Sequence, residues 1–219
     1  MGVQKTSFFK VFFVTIFVIT SASYAMQKKA IVIGASSGMG REVAKLLSKQ
    51  GYEVGLVARR LLLLESLQAE MYGPSYIKQI DVTSTNARQQ LADFIAHMGG
   101  LDLIVISISP YLDNRDFTPS ADGDPDSDSA EKIWKNKERI VDVCAKRFIV
   151  LADVALEYFM QQNRGHLVGI SSTSGLRGSA MNPEYSGAKA CISYYMEGMR
   201  NLMLTTQNVV GILYIPKTY

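Results

Sequence analysis

Residues 29–40 read Lys-Ala-Ile-Val-Ile-Gly-Ala-Ser-Ser-Gly-Met-Gly, an apolar run that stops on glycine and restarts as a helix. The run 29–33 has the makings of a buried strand. Residues 38–50 carry Val43, Leu46 and Leu47 at helical spacing before Gly51 ends the pattern. Glycines at such a turn let the backbone take angles, and approach a ligand closely, where a Cβ would forbid it. The helix start adds free N–H groups and the positive end of the helix dipole, which suit a pyrophosphate. Gly34, Ser36, Ser37, Gly38, Met39 and Gly40 are therefore expected to form a phosphate-binding turn.

The same alternation continues along the chain. Strands are expected at 52–58, 75–80, 101–108, 167–171 and 208–215, and helices at 61–72, 84–98, 131–163 and 184–206. Thr83 or Ser84 is the expected cap of the helix that Gly99-Gly100 stops, and the helix 131–163 is expected to break near 135–137. Residues 171–182 read as a polar loop. In the last helix Ala188, Ile192, Tyr195, Met199 and Leu202 share one face, and Met196, Met199 and Met203 read as core or subunit interface. Strands alternating with helices of this length imply βαβ units and a parallel sheet covered on both faces.

One stretch departs from this pattern. Residues 113–131 hold Asp113, Asp116, Asp122, Asp124, Asp126, Asp128 and Glu131 against Arg115, with Pro119 and Pro125. Asp122 to Asp128 brushes against calcium-loop spacing, but Ser127 and Ile133 stand where the loop needs Gly and Glu. A solvated acidic loop with no metal is expected.

A chain of 219 residues with 47% apolar content is long enough for one domain with a real core. A net charge of +3 is too mild to point to nucleic acid, and two cysteines make neither a disulfide framework nor a cysteine-rich zinc site. Residues 1–25 stand apart. Lys5 and Lys10 precede an apolar run over 11–19 broken by Thr15, and Ser23 and Ala25 supply a small-x-small ending. These are the parts of a signal peptide, in a run too short for an ordinary membrane span of about 20 residues. The segment reads as signal-like or as a membrane anchor, with Met26 as a true start being the alternative. The folded domain is expected over 26–219.

Two further motifs carry chemistry. The second strand ends Val57-Ala58-Arg59-Arg60, where an NAD site usually has a carboxylate for the ribose 2′-hydroxyl. A small residue followed by Arg59 and Arg60 suits a 2′-phosphate and points to NADP over NAD. Asp81 and Val82, ending the third strand, are candidates to meet the adenine, although Asp81 could instead cap the next helix. Tyr185 and Lys189 fall at i and i+4 on one helix face. A free tyrosine, with a pKa of about 10, is a poor base at neutral pH, and a neighbouring Lys⁺ is expected to draw that value down. Ser172, placed 13 residues upstream at a strand end, can hydrogen-bond a substrate oxygen.

In these motifs the sequence resembles the short-chain dehydrogenase/reductase family. The resemblance rests on Gly34 to Gly40, Ala58-Arg59-Arg60, Ile170-Ser171-Ser172 and the run Glu184-Tyr-Ser-Gly-Ala-Lys-Ala190, and it covers about 29–216. It implies a Rossmann-type α/β fold, a doubly wound parallel sheet in order 3-2-1-4-5-6, and hydride transfer between a nicotinamide and a carbonyl or alcohol carbon. In that scheme Tyr185 exchanges the proton, Lys189 binds the nicotinamide ribose, and Ser172 orients the substrate oxygen. It also implies a homo-oligomer joined through the helices 131–163 and 184–206. Three departures accompany it. Ser107-Ile108-Ser109-Pro110 stands where the family has Asn-Asn-Ala-Gly, and Cys144 stands at the place of a relay Asn. Pro216-Lys217-Thr218-Tyr219 stands where the family continues into a substrate loop and a last strand, so the last strand is expected to be missing. Both Cys144 and Cys191 are expected to be buried and structural.

The residues thus imply an NADP-dependent oxidoreductase acting on a small carbonyl or alcohol, with its catalytic domain in the cytoplasm, where that cofactor pool lies. The second reading is a non-catalytic or shortened Rossmann nucleotide-binding protein, with an exposed apolar edge beside the sixth strand.

Overall fold

The computed structural model describes residues 27–110, 127–203 and 209–216. Six strands form one parallel sheet: β1 (Lys29–Ile33), β2 (Glu53–Ala58), β3 (Ser75–Gln79), β4 (Leu103–Ile106), β5 (Gly165–Ile170) and β6 (Val209–Tyr214). Their order is β3-β2-β1-β4-β5-β6, as the resemblance implies. The helices are α1 (Gly38–Lys49), α2 (Leu61–Gln68), α3 (Ala87–His97), α4 (Ser127–Val141), α5 (Phe148–Gln162) and α6 (Pro183–Met203).

The apolar runs of the strands are continuous because both faces of the sheet are covered. In β1, Ala30 and Val32 pack with Leu47, Leu64 and Leu67 of α1 and α2. Ile31 and Ile33 point the other way, into a core that holds Phe94, Leu151, Phe159 and Met196 from α3, α5 and α6. Strand order reverses between β1 and β4, so the chains leaving their carboxyl ends diverge and open a crevice there.

Several boundaries differ from the sequence expectation for local reasons. The second helix ends at Gln68 instead of 72, because the Ser48 hydroxyl accepts the N–H groups of Tyr72 and Gly73 at 2.9 and 3.1 Å and draws that segment off the helix axis. The third begins at Ala87 with Asn86 as its N-cap residue, not Thr83 or Ser84. Asp81 takes the N–H and the hydroxyl of Thr83 at 2.9 and 2.7 Å, so residues 81–84 form a turn of their own. β4 stops at Ile106 because β1 offers no strand residue beyond Ile33, although Ser107 N–H still donates to the Ile33 carbonyl at 2.9 Å.

The long helix starts at Ser127, so residues 127–131 are helical and not loop. It does not break at 135–137, where Lys135 pairs with Glu131 one turn earlier at 2.6 Å. The irregularity is a π-helical turn, Asp142–Arg147, closed by Arg147 Nε on both Asp142 oxygens at 3.0 and 3.1 Å. That i, i+5 pairing matches the π period. In α6 the expected apolar face is right for Ala188 and Ile192, while Leu202 is 60% exposed and Met196 is buried in its stead. β6 is an edge strand with Val210, Ile212 and Tyr214 exposed.

The acidic stretch up to residue 126, the segment 1–25 and the chain after Pro216 lie outside the described residues. Among the described residues, no helix is long and apolar enough to cross a membrane, and no cluster of side chains could hold a metal ion.

Candidate active site

The glycine turn sits at the mouth of the crevice, pinned to β2 by hydrogen bonds from the Gly34 and Ala35 N–H groups to the Val57 carbonyl at 2.8 and 3.2 Å. Gly34 has φ +89°, and a Cβ there would lie 2.0 Å from the Ser107 carbonyl oxygen. Close packing of β1 against the chain leaving β4 thus allows no side chain. Gly40 carries the same constraint from within the turn, since its Cβ would fall 2.4 Å from the Gly34 carbonyl oxygen. α1 follows with no acidic residue in its first turn, and the space around Gly38 is open.

These residues form one wall of a cavity of about 370 Å³. Ala58, Arg59 and Arg60 form a second wall, Ile80, Val82 and Thr83 a third, and Ser107 to Pro110 with Val143 the inner end. Of the expected binding residues, Gly34, Ser36, Ser37, Gly38, Met39, Arg59, Arg60 and Val82 line the cavity. Gly40 supports the turn from behind. Tyr185 and Lys189, also expected to bind the cofactor, are not in the lining, and neither is Asp81. Its carboxylate holds the Thr83 turn and lies below its ordinary range, because the Thr83 donors with Arg59 and Arg139 outweigh the opposing effect of burial. Arg60 folds back over the turn, donating from Nε and Nη2 to Ser36 Oγ at 3.2 and 2.8 Å and from Nη2 to Ser37 Oγ at 2.6 Å.

Ser172, Tyr185 and Lys189 are brought together by the end of β5 and the first turns of α6, outside the lining of this cavity. Ser172 follows β5 in extended conformation, and its Oγ accepts the Ser174 N–H at 3.2 Å to start a single 3₁₀ turn, Thr173–Gly175. Gly175 presses on the Lys189 backbone, where a Cβ would stand 2.9 Å from the Lys189 carbonyl carbon. The Ser171 and Ser193 hydroxyls both donate to the Lys189 carbonyl, at 3.1 and 3.2 Å. Lys189 is only 3% exposed, and its Nζ donates to the Ile170 carbonyl at 3.0 Å, 5.7 Å from the centre of the Tyr185 ring.

The electrostatics correct one expectation. Tyr185 does not sit below its ordinary pKa: burial pushes the phenol up, against the smaller pull of the Ser172 and Ser109 hydroxyls. Lys189 is itself pushed down by burial, and Cys144 opposes that weakly. Desolvation outweighs the attraction expected between the two. Burial thus disfavours both the phenolate form of Tyr185 and the charged form of Lys189.

Two residues gain roles that the motifs did not assign. Ser109 lines the cavity, and the Cys144 thiol donates to its Oγ at 3.9 Å. Cys144 is buried in the π-turn, in a cluster with Ile140, Ala145 and Ala188 against which Tyr185 packs. Burial raises its thiol pKa, as suits a structural cysteine. Cys191, by contrast, is exposed, contrary to expectation.

The short chain dehydrogenase family model matches residues 28–215, and the chain belongs to that family. An uncharacterized oxidoreductase of Myxococcus xanthus is 32% identical over 178 residues, which are 79% of this chain and 65% of that protein. This chain thus spans just under two thirds of that relative's length. An uncharacterized oxidoreductase of Staphylococcus epidermidis is 28% identical over 82% of this chain and 73% of its own. Among solved structures, a metagenomic short-chain oxidoreductase in complex with NADP superposes with TM-score 0.71 at 22% identity, covering 87% of this chain and 82% of the other. An actinorhodin polyketide ketoreductase with NADPH gives TM-score 0.67 at 20% identity, covering 84% and 67%. At these identities the structures establish the shared fold.

Proposed function

We propose that the protein is an NADP-dependent oxidoreductase that interconverts a small carbonyl compound and its alcohol. The observation that carries this reading is the convergence of Ser172, Tyr185 and Lys189 beside a cavity walled by a glycine turn and two arginines. The cavity fits a phosphate-bearing dinucleotide. It offers the open N-terminus of α1, no acid in that first turn, and guanidinium groups where a carboxylate would repel a 2′-phosphate. Ala58 leaves the space that such a phosphate needs. The nicotinamide, when bound, supplies or accepts the hydride.

The chain's own residues handle the oxygen and its proton. Ser172 O–H donates to the substrate oxygen and orients it. Tyr185, whose phenolate form burial disfavours, donates its O–H proton to that oxygen during reduction and takes it back during oxidation. Lys189 supplies positive charge next to the phenol, with its Nζ fixed by the Ile170 carbonyl.

Titration of intrinsic fluorescence with NADPH and NADH, followed by NADPH oxidation with a panel of carbonyl compounds, tests this. Tighter binding of NADPH with turnover is the expected result. No binding of either nucleotide would overturn it. Binding without turnover would favour a non-catalytic nucleotide-binding protein, a reading supported by Cys144 beside Tyr185 and by the exposed apolar side chains of β6.

A further inference from the structure

We infer that Ser171 is a positioning residue for Lys189, gripping the main chain of that lysine while its neighbour Ile170 grips the side chain. The inference rests on the reading of Lys189 as the cation beside the Tyr185 phenol. Ser171 directly follows β5, is 2% exposed, and has its N–H tied to the Tyr214 carbonyl of β6 at 2.9 Å. Its Oγ lies 3.1 Å from the Lys189 carbonyl oxygen and 3.2 Å from Ser193 Oγ, and Ser193 Oγ lies 3.2 Å from that same carbonyl. Lys189 Nζ donates to the Ile170 carbonyl at 3.0 Å. One lysine is therefore held at its backbone and at its tip by two consecutive residues of one strand end, with Ser172 next in the chain.

The two hydroxyls have one proton each to serve three contacts. The Lys189 carbonyl has two lone pairs, and the hydrogen-bond ladder of α6 uses one of them. One hydroxyl therefore bonds the carbonyl, and the other bonds the oxygen of the first. In either arrangement Ser171 joins the end of β5 to α6, directly or through Ser193. The two serines are not equivalent, however. Ser193 belongs to α6 and reaches back one turn, so on its own it bonds only its own helix. Ser171 comes from the sheet, so without Ser193 it still meets the Lys189 carbonyl, and without Ser171 the hydroxyl tie between strand and helix is gone. The titratable groups facing Lys189 are Cys144 from the π-turn and Tyr185 one turn earlier on α6. A buried ammonium held only at its tip is free to shift toward water, and with it the charge beside the phenol.

The test compares Ser171→Ala, Ser193→Ala and the double variant in the full chain. With ¹³C-labelled lysine, the Lys189 Cε resonance, assigned by its loss in Lys189→Met, is followed against pH by NMR. Ser171→Ala is expected to raise the midpoint by about half a pH unit toward the ordinary lysine value, because the loosened ammonium gains water. Ser193→Ala should leave the midpoint in place, and the double variant should match Ser171→Ala. In carbonyl turnover, Ser171→Ala should lower kcat about fivefold, the equivalent of roughly one net hydrogen bond, with KM little changed, and Ser193→Ala should lower it by about twofold at most. Equal shifts in the two single variants overturn the proposal. So does a lower melting temperature in Ser171→Ala with an unmoved midpoint, the mark of a hydroxyl that only stabilises the fold. A midpoint that moves in Ser171→Ala alone, in a protein that turns over no carbonyl compound, sinks the oxidoreductase reading and leaves the Ser171 tie standing.

Discussion

The glycine turn and the Ser172–Tyr185–Lys189 group are built from opposite materials. The turn is backbone, made within a single stretch of chain, and its tolerance is set by Cβ atoms. Gly34 has a carbonyl oxygen 2.0 Å from where its Cβ would be. The candidate catalytic group is made of side chains whose state is set by burial, and Gly187, between Tyr185 and Lys189, has no neighbouring atom within 4 Å of its Cβ position. Phosphate binding by N–H groups needs close approach and little side-chain chemistry. Proton transfer needs side chains in a controlled dielectric and leaves the exposed backbone between them free.

Substitutions that cross this division test it. The largest effect is expected from Gly34→Ala, which combines a positive φ with a backbone collision and should cost more than about 4 kcal/mol, read as loss of cooperative thermal unfolding. A soluble, cooperatively folding Gly34→Ala variant would break the comparison at its firmest point. Tyr185→Phe should keep the fold and NADPH affinity while lowering kcat about a thousandfold, within the usual span for a lost general acid. A loss of nucleotide binding in that variant would show that the halves are not separable.

Lys189 offers a pH-dependent test. Burial holds its pKa below the ordinary 10.5, so the unfolded chain binds the proton more tightly. Its burial cost is therefore present in full below the folded value and is relieved as pH rises toward 10.5. Tyr185, raised above 10.0, acts in the opposite direction, its contribution being lost as pH climbs past that value. The stability of the wild type relative to Lys189→Met should thus increase from neutral pH toward pH 10, measured by urea unfolding. A flat difference would mean that the lysine is better solvated than its surroundings imply.

Smaller effects sharpen the picture. Arg60→Ala should weaken NADPH binding about tenfold, with NADH almost unaffected, as for one lost charge-assisted contact. Gly187→Ala should stabilise the protein by up to about 1 kcal/mol through helix propensity, without harming turnover.

Much of this was legible before folding was considered. The turn could be read because its requirements are local: glycine at Gly34 and Gly40, and a strand before and a helix after. The helix period alone places Tyr185 and Lys189 on one face. The helix boundaries near 72 and 84 were misread because Ser48 and Asp81 capture backbone N–H groups, and the first of these contacts crosses 24 residues of sequence. The irregular turn at Asp142–Arg147 escaped because an i, i+5 ion pair leaves no trace in apolar periodicity. Ser109 reads as a departure from a familiar pattern, and its place in the cavity lining depends on the divergence of β4 from β1.

The sequence by itself determined the strand and helix order, the parallel sheet and the identity of the candidate reacting groups. These follow from local spacing and from residue chemistry that does not change on folding. Only folding sets the burial that shifts Tyr185 and Lys189, the place of Cys144 and its contact with Ser109. Desolvation and hydrogen bonds between distant segments exist only once β4, β5, the π-turn and α6 enclose the same few ångströms.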